Sequence, residues 1–225
     1  MQHINELGEE VPARSRLARS MRGGDRSVIL TLVRHASTAM NSDEPGAERV
    51  RGWMDLPLSR AGKEEAENTA RQLRKTDLDV VFCSDLVRSR DTARAIAKVC
   101  GCAVIELRAL RPWDLGKFTG QPVKQANSEI EEFACRKPDA RVPDGESFDT
   151  FRSRLFGGLK SIVGFNAAEP ALIVHNVVER VLKGWVAAGM PATWKCDPKM
   201  LTAKGLSTSA VEKVTVNPAA LRAVK

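Results

Sequence analysis

Two of the three histidines in this chain directly follow short apolar runs, LTLVR before His35 and ALIV before His175; the third, His3, lies near the start. A neutral imidazole fixed in one tautomer is a good nucleophile toward phosphorus. Arg34 stands beside His35, and its planar fork matches phosphate oxygens and stays charged at any working pH; the bland alternative is a surface salt-bridge partner. Arg88 falls in the first turn expected of a helix, where anions are favoured and a cation is not. That position fits an arginine serving an anion outside the helix. Arg90 is compatible either with the same role or with a solvated charge. His175-Asn176 opens a further helix, whose free N–H groups can also face a phosphate.

The elements that must position these residues follow from the apolar pattern. SVILTLVR at 27–34, 79–83, 103–106 and 170–174 read as short buried strands. Helices are expected from Ser59 to about Lys75, from a Ser84-Asp85 cap to about Val99, over 123–136, over 148–164, and from His175 to about Ala188. Residues 107–122 hold Pro112, Gly116, Gly120 and Pro122 and read as a loop. Past 190 the signal fades, and Ser207 to Val216 alternates enough for a final edge strand. This alternation predicts an α/β fold in a single domain over 27–225, with a mostly parallel central sheet and helices on both faces. Ligands in such folds sit beyond the carboxyl ends of the strands, where both histidines should stand.

Composition narrows the function classes. With 225 residues, 43% hydrophobic and 28% charged, the chain reads as an ordinary soluble globular protein. No apolar run approaches the roughly 20 residues of a membrane span, and the first residues lack a signal-type apolar core. Residues 14–26 carry five arginines and one aspartate, and 1–26 read as a flexible basic tail. The net charge of +7 fits an anionic ligand. No nucleic-acid motif accompanies it, so neither a nucleic-acid nor a membrane partner is expected. Five scattered cysteines, Cys83, Cys100, Cys102, Cys135 and Cys196, read as reduced thiols of a cytoplasmic protein. Oligomeric state has no readable signature.

Five motifs in order resemble the histidine phosphatase superfamily, also called the phosphoglycerate mutase-like family. They are Arg34-His35-Ala36-Ser37-Thr38 with Asn41; Gly52 to Ser59 with Gly62; Ser84-Asp85-Leu86 with Arg88, Thr92 and Ala93; Pro143-Asp144-Gly145-Glu146-Ser147; and Val174-His175. The resemblance implies a phosphoglycerate mutase-like fold, with His35 as the phosphorylated nucleophile and Arg34, Arg88 and His175 completing the phosphate pocket. Thr38, Asn41 and Asn176 become candidate substrate contacts. The implied reaction is two-step, through a phosphohistidine that water hydrolyses, with no metal or other cofactor.

Three positions depart from the family pattern. Ala36 replaces a glycine. Asn176 stands where many members have glycine and one branch has an aspartate acid. Pro112 stands where many relatives carry a glutamate acid. In an extended segment residues two apart share a side, so Asp114 is the candidate acid, provided that its pKa is raised; the alternative is that it caps or pairs with Arg111. Glu146 and Glu179 are weaker candidates. The expected function is a phosphomonoester phosphatase acting on a small phosphorylated substrate or phosphopeptide. The alternatives are a phosphoglycerate-type mutase and a catalytically weak phospholigand-binding or regulatory member.

Overall fold

The computed structural model describes residues 27–41, 48–202 and 205–225. His3 and the basic tail over 1–26 lie outside the described residues. The chain runs β1 (Val28–Arg34), α1 (Arg60–Leu73), β2 (Val80–Cys83), α2 (Val87–Cys100), β3 (Ala103–Glu106), α3 (Val123–Glu131), α4 (Phe148–Gly164), β4 (Pro170–Val174), α5 (Asn176–Ala187), α6 (Pro198–Thr202), β5 (Val211–Val216) and α7 (Pro218–Ala223). Short 3-10 turns occupy Arg108–Leu110 and Gly116–Phe118. The predicted helix over 123–136 divides: α3 ends at Glu131, and Glu132–Arg136 continue as a π-helical turn.

The sheet has the order β3-β2-β4-β1-β5. β1, β2, β3 and β4 pair in parallel, and β5 closes the edge antiparallel to β1. Successive strand side chains point to opposite faces, and the core divides accordingly. Leu30, Leu32, Phe82, Leu172 and Val174 pack with α4 and α5 residues such as Phe151, Leu155, Val178 and Trp185. Val33, Val81, Cys83, Ala171 and Ile173 pack with Ala70, Leu73, Ala93 and Ile96 of α1 and α2. Strands buried on both faces explain why these segments read as continuous apolar runs rather than alternating ones.

Ser59 caps α1 as expected, its hydroxyl accepting from Gly62 N–H at 3.0 Å. Ser84 and Asp85 do not cap α2, because both side chains are engaged elsewhere. The α2 N-cap is Leu86, which has no side-chain cap bond. Two short helices, α6 and α7, lie in the region where the sequence pattern fades.

The start of α1 docks on the loop after His35. The Ser37 carbonyl accepts from Ser59 N–H at 2.9 Å, and a Cβ placed on Gly62 would fall 1.9 Å from the Ser37 oxygen. Gly62→Ala therefore forces this helix off the loop that carries His35. The expected cost is about 1–3 kcal/mol, read from the urea midpoint, together with a fall in turnover. A variant with both unchanged would show that the contact is not needed.

Candidate active site

β1 and β4 are parallel neighbours with Arg34 opposite Val174, and His35 N–H donates to the Val174 carbonyl at 3.1 Å. That register sets His35 and His175 side by side beyond the carboxyl ends of the two central strands, with ring centroids 5.0 Å apart. Both residues are 2% exposed. They line a cleft of about 270 Å³ together with Arg88, Arg51, Asn176 and Arg180. Much of the remaining lining is apolar, including Val50, Pro112, Trp113, Leu115, Val123 and Ile130.

The tautomer of His35 follows from its partner. Nδ1 lies 2.9 Å from the Ala36 carbonyl, which can only accept, so Nδ1 carries the proton and the Nε2 lone pair is free for attack. Burial, followed by the charge of Arg88, holds this imidazole well below the ordinary histidine value, so the ring is neutral at neutral pH. The methyl of Ala36 is accommodated among Leu58 and Ala66, and Ala36 N–H donates to Thr92 Oγ1 at 3.1 Å. Replacing the family's glycine there leaves a packed, bonded loop.

His175 pairs through Nε2 with Ser84 Oγ at 2.8 Å. Its Nδ1 is buried and has no partner among the described residues. The hydroxyl can donate or accept, so the neutral ring carries its proton on Nδ1 when Ser84 donates and on Nε2 when Ser84 accepts. Burial and then Arg88 hold its pKa well below the ordinary value too.

Arg88 is 1% exposed. Its Nη1 donates to the Met54 carbonyl at 2.7 Å and its Nη2 to the Gly52 carbonyl at 3.1 Å. No carboxylate pairs with it among the described residues, and Nε is unpartnered. Burial, then Arg51, lowers its pKa to about 10, so the group remains charged. A buried cation held only by carbonyl oxygens is an anion site. Arg51 adds a second charge: its side chain is 10% exposed, it lies 3.2 Å from Glu48, and its Nη1 donates to the Met40 carbonyl. Sequence reasoning missed Arg51, although it immediately precedes the Gly52 segment that carried the family likeness.

Other expected residues are placed differently. Arg34 is not in the cleft lining; its Nη1 donates to the Leu206 carbonyl and its Nη2 lies 3.9 Å from Glu48. Thr38 and Asn41 do not line the cleft either. Asn41 Oδ1 accepts from both the N–H and the hydroxyl of Thr38, each at 2.9 Å, closing the turn after the nucleophile. Asn176 does line the cleft, with a buried Oδ1 that has no partner among the described residues. Arg90 turns to Glu106 at 4.0 Å.

Asp114 is corrected as an acid. Burial raises its pKa, as the role would require, but its carboxylate caps Gly116 N–H at 3.3 Å and it is not in the cleft lining. The chain turns just after Asp114: Leu115 has φ −94° and ψ 9°, and Gly116 has φ 38°. Glu146 is bound by Arg154 and by Asp114 N–H. Glu179 accepts from Leu206 N–H at 2.9 Å and lies 3.5 Å from Lys183. The carboxylates that do line the cleft are Glu48 and Glu131. Among the described residues no three His, Cys, Asp or Glu side chains are grouped to hold a metal ion, and no helix is long and apolar enough to cross a membrane.

Comparison with known proteins identifies the family. The model of the histidine phosphatase superfamily (branch 1) matches residues 30–207. The chain belongs to this superfamily. A probable phosphoglycerate mutase (GpmB) of Photorhabdus laumondii is 31% identical over 166 residues, 72% of this chain and 75% of that relative. Among solved structures, a phosphoglycerate mutase from Bacillus anthracis superposes with a TM-score of 0.68 at 19% identity, covering 87% of this chain and 90% of that one. A mycobacterial glucosyl-3-phosphoglycerate phosphatase gives 0.64 at 21% identity, covering 84% and 91%. The phosphoglycerate mutase-like fold and the capacity for phosphoryl transfer follow; the choice between hydrolysis and isomerisation does not.

Two outcomes test the electrostatics of this histidine phosphatase site. The native state keeps His35 and His175 neutral, whereas the unfolded chain protonates them below about pH 6.5. Their contribution to stability is complete above that pH and is lost as pH falls through it, at up to about 1.4 kcal/mol per pH unit for each ring. Urea midpoints between pH 7.5 and 5.5 should fall less steeply in His35→Gln than in the wild type; equal slopes would contradict the buried neutral imidazole. Separately, Arg51→Met should weaken competitive inhibition by inorganic phosphate roughly 10- to 100-fold. An unchanged inhibition constant would remove Arg51 from the anion site.

Proposed function

We propose that this histidine phosphatase family member is a phosphomonoester phosphatase acting through a phosphohistidine on His35. The observation that carries the reading is the buried, carboxylate-free Arg88 beside a neutral His35 whose Nε2 lone pair is free. Nε2 attacks phosphorus, the P–N bond forms, and the ester oxygen departs with the bonding pair. Arg88 and Arg51 stabilise charge on the equatorial oxygens, and His175 supplies a further donor. Water then attacks the phosphohistidine, breaking P–N and releasing phosphate. Glu48 lines the cleft with its side chain 40% exposed, so solvent reaches the rim, as the hydrolytic step requires.

The substrate class follows from the rest of the lining. A small phosphate ester suits a cleft of about 270 Å³. Among the described residues Pro112 brings no acid to the leaving oxygen, Asp114, Glu146 and Glu179 are hydrogen-bonded elsewhere, and the lining carboxylate Glu48 is paired with Arg51, which leaves Glu131 as the other carboxylate of the cleft. Esters with good leaving groups are the expected substrates, because their oxygens depart with little proton assistance. The competing reading is a phosphoglycerate-type mutase, favoured by the name of the 31% identical relative.

A series of aryl and alkyl phosphates, run beside phosphoglycerates, separates the two. Aryl phosphates should release phosphate at least about 100-fold faster than alkyl ones, the size of a typical general-acid contribution. Rapid quench should trap a phosphohistidine that is absent in His35→Ala. Isomerisation of phosphoglycerate without phosphate release would overturn the phosphatase reading. Binding of phosphate with no turnover of any ester would leave a binding protein.

A further inference from the structure

A second cavity, of about 300 Å³, lies away from the catalytic histidines and has Cys135, Cys196 and Trp194 in its walls. The two sulfurs in that wall are 3.0 Å apart, across 61 residues of sequence. Cys135 belongs to the π-helical turn Glu132–Arg136, and Cys196 to the loop before α6. Both are free thiols.

We propose that Cys135 and Cys196 form a redox modification site that closes to an intramolecular disulfide when the protein meets a hydroperoxide. The sulfurs need approach by only about 1 Å to reach bonding distance. The cavity brings a small oxidant to them. The reaction balances with hydrogen peroxide as the oxidant. The thiolate of Cys135 attacks one peroxide oxygen; S–O forms, O–O breaks, and water leaves after protonation. The sulfur of Cys196 then attacks the sulfenic sulfur of Cys135; S–S forms, S–O breaks, and a second water leaves. Two thiol sulfurs are oxidised and one peroxide is reduced to two waters.

The order of attack has a physical reason. Burial raises both thiols above the ordinary value, but Cys135 less, because the neighbouring Cys196 thiol can donate to its thiolate. The site is therefore a slow sensor, not a hyper-reactive one. Cys83 is buried and its pKa is pushed up to about 12, and the Cys100 thiol is directed at the Leu73 carbonyl at 3.5 Å.

The bond would join the two segments that frame the catalytic cleft. Glu131, one residue before the π turn, and Leu201, on α6, both line it. A closed loop of this length constrains the unfolded chain strongly.

The test uses the full chain treated with hydrogen peroxide and compared with protein kept in reductant. Titratable thiols should fall from five by two, the intact mass should fall by two hydrogens, and a non-reduced digest should yield the peptide joining Cys135 to Cys196. The melting temperature should rise on the order of 10 °C and return on reduction. Cys135→Ser and Cys196→Ser should each abolish the shift while leaving the reduced protein folded. Pairing of any other cysteines, intermolecular dimers only, or oxidation of one sulfur to a sulfinic acid without the cross-link would overturn the proposal. These readouts do not depend on phosphatase activity, so they stand apart from the functional reading above.

Discussion

A buried positive charge with no carboxylate bonded to it among the described residues organises this molecule. Arg88 is enclosed at the start of α2 and held by the carbonyls of Gly52 and Met54 alone. Taking a guanidinium out of water costs several kcal/mol unless its donors and its charge are answered. The carbonyls answer two donors; the charge is left for a ligand. The same charge acts on both histidines, and it is the leading electrostatic cause of their lowered pKa after burial. Arg88 thus leaves a charge for an anion and, after burial and together with Arg51 and Arg34, keeps His35 unprotonated.

The surrounding structure holds that charge in place. Asp55 accepts from Val87 N–H at 2.7 Å, tying the 52–55 loop to the first turn of α2, so the carbonyls that hold Arg88 and the helix that carries it move together. Trp53 in the same loop donates to the Pro112 carbonyl at 2.8 Å. Arg154 of α4 donates to the carbonyls of Ala109, Arg111 and Pro112 and to Glu146. Asp85, rather than capping α2, holds Arg111 through two bonds of 2.7 Å. The apolar part of the cleft is therefore fixed by a set of arginine contacts to backbone oxygens. Site geometry built on such satisfied networks is rigid, which is what positioning in phosphoryl transfer demands.

The strands and the strand-end histidines were legible because burial on both faces leaves a continuous apolar run and a polar residue directly after such a run must stand at the edge of the sheet. β3, β4 and α4 begin and end where the pattern places them. The residues that sequence misplaced sit in irregular backbone. Arg51 belongs to no helix or strand, and no periodicity shows where its side chain points. Arg34 was legible as a neighbour of the nucleophile but not as the partner of the Leu206 carbonyl, a contact 172 residues away. Asp114 was misplaced because no periodicity reports the turn that follows it at Leu115 and Gly116 and that takes its carboxylate as a cap. The segment instead pairs with the turn before α4: Glu146 N–H donates to the Asp114 carbonyl, and Lys117 N–H to the Pro143 carbonyl. Gly116 and Gly145 permit that approach, since a Cβ on Gly116 would lie 2.1 Å from the Pro143 oxygen.

On the proposed reading, the site's chemistry is lopsided. Loose phosphoryl transfer places charge on the equatorial oxygens and on the departing one, with little bond making to assist. Arg88, Arg51 and a donor on His175 serve the equatorial oxygens. Pro112, Leu115 and Val123 contribute apolar lining. An apolar environment around a departing alkoxide is unfavourable, because it neither solvates nor protonates the charge. The same environment is tolerable for a delocalised phenolate and can gain from covering its ring. The binding energy of the leaving group and the weakness of its bond to phosphorus then favour the same esters. In this chain the choice of substrate is set as much by Pro112, which brings no acid to the leaving-group side, as by the arginines.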